Sequence, residues 1–229
     1  MRLRKNHPKY HIFWPILWVV IFISFVALDI FWPGSIISTI LKVEGIFFCL
    51  VFSWWYARAD KFLILALIFT VCADLILAIY NYSPIGVFVF VFAELTHFIR
   101  LNENAKFARI YIICALIALI VGAAITWRIY IFGFVYGITL IINFIYALKW
   151  HRRSKGNSFP ARTAFWGFIL LICCDICAAL SFLASSGGLS AFGITILSAS
   201  IIPFVDVLAW VFYYPSQILI STSSKVVLQ

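Results

Sequence analysis

The sequence predicts an all-α fold: a polytopic transmembrane helical bundle of about eight spans, with both termini in the cytoplasm. Three observations lead to this prediction. Charged residues make up 11% of the 229-residue chain, whereas soluble domains average about 25%. The mean hydropathy is +1.10, and apolar runs of about 20 residues, the length that crosses the hydrocarbon core of a bilayer, recur along the chain. Lysine and arginine are also distributed unevenly between alternate connections.

Eight apolar runs are expected to form the spans, separated mostly by short connections that contain turn-forming residues. The expected spans are approximately 12–31, 36–57, 62–80, 84–101, 107–126, 129–149, 163–184 and 199–222. Typical turn signals are "WPGS" at 32–35 and "NYSP" at 81–84. Because no long polar insert interrupts this series, residues 1–229 are expected to form one integral membrane domain.

Two regions beside the spans carry expectations of their own. Residues 1–11 are expected to be a basic cytoplasmic N-terminus before an uncleaved first helix, and residues 223–229 a short cytoplasmic tail. The region that precedes this tail is open to two interpretations. Residues 185–222 form either one span after a long loop or a span preceded by a re-entrant segment at 189–203, where Pro203 would interrupt a helix.

The basic residues fall almost entirely on one side of the membrane if the chain crosses it at every span. Fifteen of the 17 lie before the first span, in alternate connections or after the last span; Arg128 lies on the other side and Lys42 lies within the second span. The positive-inside rule then places both termini in the cytoplasm. The cluster "KWHRRSK" at 149–155 is interpreted as part of this signal, with binding of anionic lipid as the alternative. This placement argues against nucleic acid as a partner despite the net charge of +9.

Three carboxyl groups lie near the middle of predicted spans. Asp74, Glu94 and Asp175 each fall within roughly 5 Å of a span midpoint at the helical rise per residue. A charge at the bilayer centre costs about 3 kcal/mol on insertion scales, so we expect a shared polar cavity. Burial disfavours the charged form of a carboxyl group, and at least one acid is expected to keep the proton that a general acid needs. The structural alternative is a hydrogen bond to a neighbouring helix.

Other polar residues in the spans have less specific interpretations. His97 follows Glu94 by three residues, so both lie on one helix face. Asp29 and Asp206 lie nearer the ends of their spans and are interpreted as interfacial or structural. The cysteines of "CCDIC" at 173–177 are interpreted as small packing residues, and neither a metal site nor a disulfide framework is expected.

Five short motifs, in the right order and in the right spans, resemble the YhhN-like lysoplasmalogenase family of eight-helix membrane proteins. The motifs are Lys42 in "LKVEG", Asp74 in "IFTVCADLILAI", Gly86 and His97 in "GVFVFVFAELTHF", Gly167 and Asp175 in "GFILLICCD", and Tyr213, Tyr214 and Gln217 in "YYPSQILI". The sequence departs from the family pattern in having Ala73 before Asp74, Cys174 before Asp175, and Arg100 where a tyrosine often follows the histidine.

The resemblance implies hydrolysis of the vinyl ether bond of lysoplasmalogens, which releases a fatty aldehyde and a glycerophospho-alcohol. A vinyl ether is protonated at carbon, and water attacks the resulting oxocarbenium ion, so one protonated and one ionised group are needed, much as in glycosidases. We therefore predict a catalytic pair and a substrate-binding set, with no cofactor and no metal. The catalytic pair is Asp74 and Asp175; the substrate-binding residues are Lys42, Glu94, His97, Tyr214 and Gln217. The implied partners are a lysophospholipid substrate and membrane lipid, and the expected location is the inner membrane if the source is bacterial.

Two other function classes fit part of the same pattern. Midplane acids also occur in proton-coupled transporters, which often contain internal repeats. The segments "CADLILA" at 72–78 and "CCDICAA" at 173–179 align on Asp74 and Asp175, and either a four-plus-four duplication or chance explains that match. A non-catalytic lipid-binding membrane protein is the third possibility, for which removal of the acids would leave function intact.

Overall fold

The computed structural model describes residues 8–80, 83–102, 104–125, 129–155, 157–185 and 202–224. These residues form eight α-helices and contain no strand. The helices are α1 (Pro8–Phe31), α2 (Ile36–Tyr56), α3 (Lys61–Ile79), α4 (Pro84–Leu101), α5 (Ala105–Ile125), α6 (Ile129–Arg153), α7 (Phe159–Ser185) and α8 (Ile202–Ser221).

All eight helices are long and apolar enough to cross a membrane. The chain is therefore a multi-pass integral membrane protein with an all-α fold, and this part of the prediction is confirmed. The predicted spans begin and end within four residues of the observed helices. Most of the possible re-entrant segment, residues 189–201, lies outside the described residues, as do residues 1–7 and 225–229 of the two predicted termini.

Local sequence explains several helix boundaries. Asp60 caps the start of α3, because its side chain accepts a hydrogen bond of 3.1 Å from the backbone N–H of Leu63. Pro84 begins α4. The first N–H groups of a helix have no acceptor within the helix, so the missing N–H of proline costs no hydrogen bond there. In the connection between α1 and α2, Gly34 adopts a φ of +79°, a left-handed conformation that favours glycine.

The helices pack around two apolar clusters. The larger one contains residues of every helix except α5, and the smaller one joins α4, α5 and α6. Among the described helices, α7 and α8 share the most extensive contact, and Gly167 has no side chain at the point where α8 passes. A Cβ at Gly167 would lie 2.7 Å from Cγ1 of Ile220 and 3.2 Å from the carbonyl oxygen of Ser216. Helix α5 packs at the periphery, against α4 and α6.

A buried polar cluster joins three elements at one end of the bundle. Nε of Arg100, at the end of α4, lies 3.0 Å from Oδ2 of Asp60, at the start of α3. The same guanidinium donates to the hydroxyl of Ser223 at 3.0 Å and to the backbone carbonyl of Ser223, just after α8. Both charged side chains are almost fully buried, at 1% and 5% exposure. We call Asp60, Arg100 and Ser223 the polar clamp.

Candidate active site

A cavity of about 1070 Å³ lies at the end of the bundle opposite the polar clamp. Its walls come from the later parts of α1, α3 and α7 and from the earlier parts of α2, α4, α6 and α8. The first three helices therefore run toward the cavity end, and the other four run away from it. Ligand pockets for drug-sized molecules measure about 300–1,000 Å³, so the cavity is large enough for a lipid-sized ligand. Most of its lining is apolar. The charged lining residues are Asp29, Lys42, Asp74, Asp175 and Asp206.

Asp74 and Asp175, the two predicted catalytic residues, both line this cavity. Asp74 is buried and lies five residues before the end of α3. The hydroxyl of Tyr213 in α8 donates a hydrogen bond of 2.8 Å to its Oδ2. Asp175 in α7 is half-buried, and the hydroxyl of Tyr136 in α6 donates a hydrogen bond of 2.9 Å to its Oδ2. Each acid is thus held by one phenol from a different helix.

An aromatic side chain of α4 connects the two acid–tyrosine pairs. The ring of Phe90 lies 6.0 Å from the ring of Tyr136 and 6.4 Å from the ring of Tyr213, edge to face in both cases. Phe90 itself lines the cavity. The two carboxyl groups therefore belong to one continuous wall, in which apolar rings limit the contact of the acids with water.

The cavity wall also carries one ammonium group. Nζ of Lys42 lies 2.7 Å from Oδ2 of Asp29, and the hydroxyl of Ser38 donates to Oδ1 of Asp29 at 2.5 Å. Nζ also lies 4.8 Å from the ring centroid of Trp210, within the range of a cation–π interaction. The Trp210 ring in turn lies 5.2 Å from that of Tyr213. Lys42 is thus a positive group on the same wall as the Asp74 pair.

Two of the predicted substrate-binding residues, Glu94 and His97, lie in the interior of the bundle and do not line the cavity. Glu94 is buried between α4 and α6, where Nδ2 of Asn143 donates to its Oε2 at 2.6 Å and to its backbone carbonyl at 2.8 Å. His97 is 2% exposed, and its ring meets that of Phe168 edge to face at 5.6 Å. Its Nδ1 has no hydrogen-bond partner among the described residues.

Two more predicted substrate-binding residues, Tyr214 and Gln217, are also buried away from the cavity, so Lys42 is the one member of the predicted five that lines it. The Tyr214 ring stacks on Phe22 at 6.0 Å and meets Phe25 edge to face at 5.4 Å. Adjacent residues of a helix point about 100° apart, so only one tyrosine of the "YY" pair faces the cavity, and that tyrosine is Tyr213. Gln217 follows Tyr213 by four residues, one turn deeper in the bundle and 3% exposed.

Sequence reasoning did not place four further residues at the site: Asp29, Tyr136, Asp206 and Trp210. Tyr136 offered a usable signal. It lies seven residues inside α6, whereas membrane tyrosines usually lie at the lipid–water interface. The ion pair of Asp29 joins two helices, and its partner was not evident from spacing along the chain. The described residues contain no group of three or more His, Cys, Asp or Glu side chains arranged to hold a metal ion, and the six cysteines are free.

No protein-family model matches the chain, and no curated protein and no solved structure shows significant similarity to it. The fold and the cavity therefore define the class of protein: an integral membrane protein of eight helices with two tyrosine-bonded carboxyl groups on one internal wall.

Proposed function

We propose that the protein is a membrane-embedded hydrolase of the vinyl ether bond of lysoplasmalogens, releasing a fatty aldehyde and a glycerophospho-alcohol. One observation carries the proposal: Asp74 and Asp175, from different helices, line the same mostly apolar cavity. The five-motif resemblance supplies the substrate class. Two carboxyl groups with different exposure suit acid and base roles, because environment decides which of a pair holds the proton.

The reaction adds one water molecule and leaves the protein unchanged. One carboxyl group donates its proton to the alkenyl carbon farther from the ether oxygen, and the second carbon becomes part of an oxocarbenium ion. The ionised carboxylate takes a proton from the water that attacks this carbon, giving a hemiacetal. When the hemiacetal collapses, the bond to the glycerol oxygen breaks. That oxygen receives the proton held by the second carboxyl group, and the first regains a proton from the hemiacetal hydroxyl.

The other cavity residues contribute binding and orientation. The hydroxyls of Tyr136 and Tyr213 hold the two acids in position. The ammonium of Lys42 is a binding group for the phosphate of the substrate, since lysine binds phosphate as a point charge. In the structure this ammonium pairs with Asp29 at 2.7 Å. A bound phosphate would contact the ammonium beside Asp29 or in its place.

The charge distribution supports an orientation with both termini in the cytoplasm. In the part of the chain that the structure describes, basic residues concentrate at the clamp end of the bundle, including Arg58, Lys106 and the 149–155 cluster. The positive-inside rule assigns that end to the cytoplasm. In this orientation, the cavity faces the opposite side of the membrane.

A proton-coupled transporter is the second candidate, and one observation favours it. Glu94 and His97 lie on one face of α4 between the cavity and the clamp, and the buried Nδ1 of His97 has no hydrogen-bond partner in the part of the chain that the structure describes. Such a line of polar groups is also typical of proton relays. A transporter of this kind would move protons across liposomes without releasing an aldehyde.

The decisive experiment measures aldehyde release from an alkenyl lysophospholipid by the purified protein in detergent, beside Asp74→Asn and Asp175→Asn. We expect each variant to lose roughly 10²- to 10⁴-fold in rate, the usual contribution of a general acid or base. Glu44→Gln is the matched control, because this exposed acid of α2 does not line the cavity and its loss is expected to leave the rate unchanged. Full rates in both aspartate variants would refute the assigned pair. Absence of release by the folded wild type, together with proton movement in liposomes, would favour the transporter.

A further inference from the structure

The cavity reaches the outer surface of the bundle between α6 and α7. Ile141 of α6 and Ile176 of α7 both line the cavity, and each is 55% exposed. The exposed Ala179 lies beside them on the same face of α7 and also lines the cavity. A residue that lines a cavity and is also exposed at the surface marks a point where the two are continuous.

The Tyr136–Asp175 hydrogen bond joins the two helices toward the cavity end, whereas aromatic rings pack them together toward the clamp end. There, the ring of Phe165 in α7 stacks on Phe144 at 5.9 Å and on His151 at 4.9 Å, both in α6. Toward the cavity end, a Cβ at Gly133 or Gly137 would meet no atom of the described residues within 4 Å. The space beside α6 is therefore open at this level, in contrast to the filled space beside Gly167.

The depth of this gap identifies what it contacts. Ile141 lies twelve residues from the start of α6, and Ile176 lies nine residues before the end of α7, which correspond to about 18 and about 14 Å along the helix axes. The hydrocarbon core of a bilayer is about 30 Å thick. The gap therefore opens near the bilayer centre, where the surrounding molecules are aliphatic chains.

We propose that the gap between α6 and α7 holds the aliphatic chain of a single-chain lipid, whose far end stays in the bilayer while its polar end occupies the cavity. Asp175 is the residue before Ile176 in the sequence. An aliphatic chain that leaves the cavity through the gap therefore passes close to a predicted catalytic group. Toward the clamp, buried His97 and Phe168 fill the bundle. The exposed lining residues Pro33 and Pro203 lie at the outer end of the cavity, so the lateral gap is the opening that leads toward the bilayer centre. The nature of the reacting bond rests on the proposed function; occupation of the gap by a lipid chain does not.

The first test is photo-crosslinking with two saturated ether lysophospholipids, which contain no vinyl ether to hydrolyse. One carries a diazirine near the glycerol end of its chain, the other at the chain terminus. We expect the first probe to label peptides of α6 and α7 around Ile141 and Ile176, and the second to label mainly surrounding lipid and detergent. Terminal labelling of interior residues, or labelling by the first probe confined to other helices, would overturn the proposal.

Two variants at the same depth sharpen the test. Gly137→Phe places a ring in the open space, and we expect it to abolish labelling by the first probe and hydrolysis of alkenyl lysophospholipids. Ile138→Phe is the matched control, because Ile138 is 39% exposed and does not line the cavity; it is expected to keep both. Undiminished labelling in Gly137→Phe would refute the assignment, whereas specific labelling by a protein that hydrolyses no vinyl ether would refute the proposed function alone.

Substrate chain length gives a readout independent of the variants. A closed hydrophobic pocket discriminates about 10- to 200-fold for one methylene. The protein makes no contact with the end of an aliphatic chain that extends into the bilayer. We therefore expect kcat/KM to vary less than about tenfold over a series of substrates of increasing chain length at constant surface concentration of substrate. A sharp optimum at one length would show that the chain ends inside the protein.

Discussion

Removal of the charge of Asp60 is expected to destabilise the fold strongly, although this residue is distant from the cavity. In Asp60→Asn, the guanidinium of Arg100 stays buried and loses the carboxylate that now lies 3.0 Å away. Breaking a buried ion pair from one side costs about 3–5 kcal/mol. Asparagine caps helices as well as aspartate does, so the hydrogen bond from the backbone of Leu63 is expected to survive. Asp60→Ala removes that bond as well and should cost about 1 kcal/mol more.

The free energy of unfolding in bicelles, measured by steric trapping, tests these values. Arg58→Gln is the control, because Arg58 is exposed at the same end of the bundle and its loss should change stability little. The double variant Asp60→Asn with Arg100→Met should recover part of the loss, since no buried charge is left without a partner. A cost of about 1 kcal/mol or less for Asp60→Asn, the value of a solvent-exposed pair, would refute this account of the clamp.

Three further substitutions have expected outcomes. Gly167→Ala should lower the free energy of unfolding by about 1–3 kcal/mol, because the added Cβ would lie 2.7 Å from Ile220 and overpacked interfaces must shift apart. Asn143→Leu should cost about 1–3 kcal/mol in the same measurement, since Glu94 would lose the amide that donates to its carboxyl group at 2.6 Å. Tyr213→Phe removes a bond of about 1.5–3 kcal/mol to the carboxyl group in α3, and kcat/KM for aldehyde release should fall roughly 10- to 150-fold.

Each of these predictions has a comparison that isolates its cause. Gly133→Ala should not destabilise the protein, because its Cβ would meet no atom within 4 Å among the residues that the structure describes. Equal losses at Gly133 and Gly167 would contradict the packing argument. Unchanged stability in Asn143→Leu would show that Glu94 does not need this donor. Tyr214→Phe should lower kcat/KM less than Tyr213→Phe does, since its hydroxyl is buried away from the cavity, and an equal loss would contradict the site geometry.

The positions of the helices along the chain were predictable from the sequence, because membrane spans have a narrow range of lengths and short polar connections separate most of them. The faces of the helices were harder to predict. α3 and α7 are apolar on nearly all sides, so an isolated acid such as Asp74 or Asp175 is the only clear mark of an interior face. Both acids do line the cavity.

The same reasoning could not separate buried acids by their surroundings. Asp74 and Glu94 both lie within roughly 5 Å of the midpoints of their predicted spans, but Glu94 faces Asn143 between α4 and α6 rather than the cavity. Which neighbour a side chain meets depends on the rotation of each helix about its axis, and tertiary packing sets this rotation. The hydrogen bonds of Tyr136 and Tyr213 were unpredictable for the same reason. Their hydroxyls donate to acids 39 and 139 residues away in the sequence, and no local sequence pattern encodes such pairs.

The ring contact between α6 and α7 near the clamp end has a mechanical consequence. Measured from the stacked rings of Phe144 and Phe165, α6 extends eleven residues to Gly133, an arm about 16 Å long. A change of about 5° in the tilt of α6 would move the end of this arm by about 1.4 Å. Helix tilt responds to the thickness of the bilayer. We therefore expect the width of the gap, and with it the rate at which lipids exchange with the cavity, to follow the thickness of the membrane around the protein.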